Sequence, residues 1–145
     1  MRIHPEPGSA LLHPLHAILL AYPIALFSAG LASDITYLNT AIIQWSNFSS
    51  WLIAGAELFG GLVLIWAIVD FVRLRATPYR GRQLAYLIVV AVMWVAGLIN
   101  AFNHSRDAWS SVGTLGLVLS IVATVLALVA GWIGYGSTSV REVRR

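Results

Sequence analysis

Cysteine is absent from the 145 residues, and so is lysine. Without cysteine there are no disulfides, thiolate metal sites, Cys-ligated iron–sulfur clusters or lipidated cysteine anchors. Charge of either sign is scarce: 10% of the residues are charged, against about 25% in a soluble domain. So little charge cannot cover a surface that faces water on all sides. The P-loop, the Gly-rich dinucleotide turn, His-Glu-x-x-His and the serine nucleophile elbow are all missing. The chain reads as a binding or structural protein rather than an enzyme.

Apolar residues fill the space instead, at 59% of the chain and a mean hydropathy of +0.80. They gather in four runs, roughly 15–38, 50–72, 83–102 and 112–135. Each run is long enough to cross about 30 Å of hydrocarbon at 1.5 Å per residue. The runs are continuous rather than alternating, so they predict helices and not barrel strands. Short loops force neighbours to be antiparallel. The expected fold is all-α, a four-transmembrane-helix up-down-up-down bundle in contact with the lipid bilayer. It forms one domain over 13–136, between a flexible N-terminus (1–12) and a basic tail (137–145).

All nine basic residues are arginines. Arg2, Arg73, Arg75, Arg80, Arg82, Arg141, Arg144 and Arg145 fall on one side of this layout, and Arg106 alone on the other. The positive-inside rule therefore places both termini in the cytoplasm. These arginines flank spans and interleave no aromatics, so no nucleic-acid partner is expected. The start does not read as a cleaved signal: Arg2 is alone there, and Pro23 interrupts an over-long apolar part.

Pro14 suits the first turn of a helix starting near His13, and Pro23 should bend that helix. Outer loops are expected at Asn39–Ser49, with Trp45 and Phe48 at the interface, and at Asn103–Ser111; an inner loop is expected at Leu74–Arg82. In the fourth run Gly113, Gly116, Ser120, Thr124, Ala127, Gly131 and Gly134 make one small-residue stripe, a close-packing face.

Chemistry inside a membrane belongs to its few polar residues. His13 and His16 share a helical face, and Asp34, eighteen residues on, returns to the same azimuth. Depth sorts the groups into an inner cluster of His13, His16 and Asp70, which Arg73 could join, and an outer cluster of Asp34, Glu57, Asn100, Asn103 and His104. The inner histidines read as a hydrogen-bonded interface feature, as haem or metal ligands, or as a proton relay. Asp34, Glu57 and His104 read as a helix-locking network or as ligands of a cation. Asp70 and Arg73 also read as a simple helical ion pair.

His13-Pro14-Leu15-His16-Ala17-Ile18-Leu19, then Tyr22-Pro23-Ile24-Ala25-Leu26 and Asp34, resemble the opening of the bacterial membrane family called domain of unknown function 2231. Asn103–Trp109 and Leu128–Gly134 are also similar to it. Tyr22 stands where Phe is usual and Ala17 where a second Pro often stands. The resemblance implies a bacterial inner-membrane location. It implies His13 and His16 as the family site and, through relatives joined to Rieske-type domains, a link to electron transfer. Three functions follow as expectations. One is a small redox-associated protein binding haem b or a divalent metal through His13, His16 and Asp70. Another is an accessory subunit whose small-residue stripe docks a redox membrane partner or a second copy as a homo-oligomer. The third is a carrier or proton pathway through Asp34, Glu57 and His104.

Overall fold

The computed structural model describes residues 13–105 and 112–136, which form four helices and, among the described residues, no strand. They are α1 (Pro14–Thr40), α2 (Ile43–Leu74), α3 (Arg80–His104) and α4 (Thr114–Tyr135). All four are long and apolar enough to cross a membrane. α1 packs on α2 and α4, and α3 packs on the same two, closing a four-helix ring. The expectations for 1–12, for the tail 137–145 and for Arg106, Asp107 and Trp109 lie outside the described residues.

Helix α1 starts where the sequence suggests. His13 is its N-cap: Nδ1 accepts the Leu15 N–H at 3.3 Å, and Pro14 follows where no N–H is needed. Pro23 is buried inside the helix, which continues without a break.

The first outer loop is a correction. Asn39–Ser49 is helical except for the two-residue link Ala41-Ile42. Hydropathy ends a span where polar residues begin, but a helix does not need apolar residues. Thr36, Asn39 and Thr40 bond back to carbonyls one turn earlier, and Ser49 Oγ reaches Gly30 O across the α1–α2 contact at 3.2 Å. Trp45 and Phe48 therefore ride on the first turns of α2, 6.4 Å apart in an edge contact. At 32 residues, α2 is about 48 Å long, well beyond the hydrocarbon thickness.

The core is a column of Leu20, Phe27, Ile53, Val63, Val90 and Met93 against the small residues of α4. Gly116, Ser120, Thr124, Ala127, Gly131 and Gly134 are all buried. The stripe thus faces the chain's own helices and is not a free docking face. Only the helix cap Gly113 departs from it, being exposed.

Candidate functional site

Two polar clusters occupy opposite ends of the bundle interior. At the end where α1 begins, His16 is 1% exposed. Its Nε2 lies 2.9 Å from the Tyr86 hydroxyl on α3, and its Nδ1 faces Asp70 Oδ2 on α2 at 3.9 Å with no hydrogen-bond partner. His13 does not join them in the interior. It is exposed and caps the helix, with its ring 5.4 Å from Trp66; the His16 ring lies 5.3 Å from the same indole. Tyr135 closes α4 onto this end through a 2.7 Å bond to Ala17 O. Arg73 makes no ion pair among the described residues, so Asp70 approaches His16 rather than its helical neighbour.

At the other end Asp34 is 0% exposed. Oδ1 meets His104 Nε2 at 3.0 Å, and Oδ2 accepts from Ser120 Oγ at 2.5 Å. Asn100 Nδ2 donates to Ser120 in turn, at 2.8 Å. The other ring nitrogen of His104, Nδ1, lies 3.0 Å from Asn100 O. A backbone carbonyl only accepts, so Nδ1 carries a hydrogen. Nε2 and Asp34 Oδ1 then share a single proton, as imidazolium–carboxylate or as imidazole–carboxylic acid. This network ties α1, α3 and α4 together.

Glu57 lies between the clusters and belongs to neither. Its two carboxylate oxygens are buried, with no hydrogen-bond partner among the described residues. The carboxyl rests against Gly97: a Cβ there would collide with Oε1 and with the Phe27 ring. Along α2 it is about 20 Å from Asp70, and Gly97 is about 10 Å along α3 from His104. Trp94 Nε1 holds this stretch of α2 by donating to Glu57 O at 3.2 Å.

Haem or a metal needs imidazole and carboxylate lone pairs aimed at one point. Here His13 Nδ1 serves the helix cap, and His16 Nε2 faces a tyrosine hydroxyl. Asp34 and His104 meet each other while Glu57 stands apart, and no three His, Asp or Glu side chains among the described residues form a metal-holding group. Among the described residues no donor set for haem or a metal ion is assembled.

Tyr86, Trp66 and Ser120 are the neighbours of these clusters that sequence reasoning misses. Each sits in an apolar run where it reads as packing. The one available signal is that Tyr86 lies in the second turn of α3, at the end where α1 starts and α2 finishes.

No curated protein and no solved structure matches the chain. A family model described as "Predicted membrane protein (DUF2231)" matches residues 12–144, nearly its full length. With four membrane-length helices and that match, the chain belongs to the DUF2231 family of membrane proteins.

Proposed function

We propose that this protein conducts protons across a bacterial inner membrane, with Glu57 as the central station between the His16–Tyr86–Asp70 and Asp34–His104 clusters. One observation carries the reading: Glu57 holds a carboxyl inside the bundle with both oxygens unpartnered among the described residues. A carboxyl in hydrocarbon is costly and is retained where it does something. This one makes no helix-locking bond among the described residues. A helix-locking role accounts for the Asp34 network but gives Glu57 nothing to do. Arg73, Arg75, Arg80 and Arg82 support a cytoplasmic location for the His16 end.

Proteoliposomes with an entrapped pH dye and an imposed potassium diffusion potential test the reading. The expected result is proton uptake faster than in empty vesicles. Glu57→Gln and Asp34→Asn should abolish it, while His13→Ala should leave it intact. Wild-type uptake no faster than in empty vesicles overturns the proposal.

A further inference from the structure

A groove of about 440 Å³ runs down the lipid-facing junction of α1 and α2, lined by Leu19, Leu62, Ile65, Trp66, Val69 and Arg73. The five α2 residues stand at i, i+3, i+4, i+7 and i+11, so they form one stripe about 16 Å long parallel to the helix axis. Leu62, Ile65 and Val69 are 44%, 61% and 40% exposed, so the groove opens outward to the bilayer and not into the proton path. Hydrocarbon lines it to within a turn of the helix end, where Arg73 stands.

Arg73 is exposed and makes no ion pair among the described residues. The acid nearest on its helix, Asp70, is turned toward His16. The groove therefore has an apolar wall of acyl-chain length and one uncompensated guanidinium at the level of the headgroups. A guanidinium fork matches a phosphate bidentately. Arg75 and Arg80 are not in its lining, and Arg82 is turned to α4, where it donates to Ile133 O, so Arg73 is the cation of this groove.

We infer that this groove binds an anionic phospholipid of the bilayer, its phosphate on Arg73 and one acyl chain along Leu62, Ile65, Trp66 and Val69. The lipid is a fixed component of the α1–α2 face, distinct from the annulus around the rest of the bundle.

The test uses the full chain, delipidated in mild detergent and offered phosphatidylglycerol and phosphatidylcholine at equal concentration. Bound lipid is counted by native mass spectrometry. Wild type should retain phosphatidylglycerol over phosphatidylcholine by about fivefold, the preference that one cation at a headgroup supplies. Arg73→Gln should bring the ratio close to one, and Arg75→Gln should leave it unchanged. Ile65→Trp, a lipid-facing change that fills the groove, should reduce retention of either lipid with Arg73 in place. Equal retention of both lipids by wild type overturns the inference. So does an Arg73→Gln protein that keeps the preference, or an equal loss in Arg75→Gln, which would mean a diffuse basic surface.

Discussion

Asp34 and His104 make the most consequential residue-scale contact, because among the described residues each is the other's one ionisable partner at an enclosed position, with Ser120 and the Asn100 carbonyl completing their hydrogen bonds. Removing one partner leaves a buried charge or an unmet polar group, which costs about 3–5 kcal/mol. Asp34→Leu and His104→Leu should each lower the melting temperature sharply in detergent. The double variant should lose clearly less than the sum, since the second change removes an already orphaned group. Additive losses would mean that the two side chains do not interact. Gly97 is the second such point. Ala at this position drives its Cβ into the Glu57 carboxyl and the Phe27 ring, an overpacking cost of about 1–3 kcal/mol. Glu57→Ala should recover part of that loss, and a thermal-melt double-mutant cycle measures the coupling. His16 and Asp70 illustrate what sequence can supply at this scale. One begins α1 and the other ends α2, so antiparallel neighbours bring them to one level. That Tyr86, not His13, completes the contact depends on how the α1 and α3 faces are rotated, which depth alone does not specify.

At the scale of the element, the α1–α2 link and the α4 stripe carry the expectations. Ala41 caps α1 with φ 55°, a left-handed conformation that crowds a Cβ, while its N–H bonds to Tyr37 O at 2.7 Å. Ala41→Gly should therefore stabilise the protein by roughly 1 kcal/mol, seen as a higher midpoint in thermal unfolding. Apolar runs gave the helices but missed this link, because Gln44, Ser46, Asn47 and Ser49 read as loop. Helix propensity does not follow hydropathy, so α2 continues through them. In α4, a Cβ at Gly131 would stand 2.8 Å from Ile24 Cδ1. Gly131→Leu should open the α1–α4 contact and cost about 1–3 kcal/mol. Val125→Leu, on a side chain 51% exposed, should leave the melting midpoint where it is. Equal midpoints for both variants would contradict the packing role.

For the whole molecule, the arginine distribution predicts both termini on the cytoplasmic side. Reporter fusions after Arg145 and in the 106–111 segment should then give opposite readouts; a periplasmic C-terminus would put the His16 end on the periplasmic side. The sequence by itself determined the class, the number of spans and the antiparallel order. Hydrocarbon thickness, the need to satisfy every backbone polar group and short links allow little else for four apolar runs. Fixed rise per residue also separated His16 and Asp70 in depth from Asp34 and His104, but it grouped Glu57 with the outer pair, which it does not join. Only the tertiary structure decided which of them meet. Helix rotation turned His13 outward, paired Asp34 with His104 and Ser120, left Glu57 alone against Gly97, and spent the small-residue stripe inside the bundle. The α4 stripe and the eighteen-residue spacing of His16 and Asp34 marked inward faces, but which helix each face meets is set by side-chain packing between helices, which the apolar runs do not encode legibly.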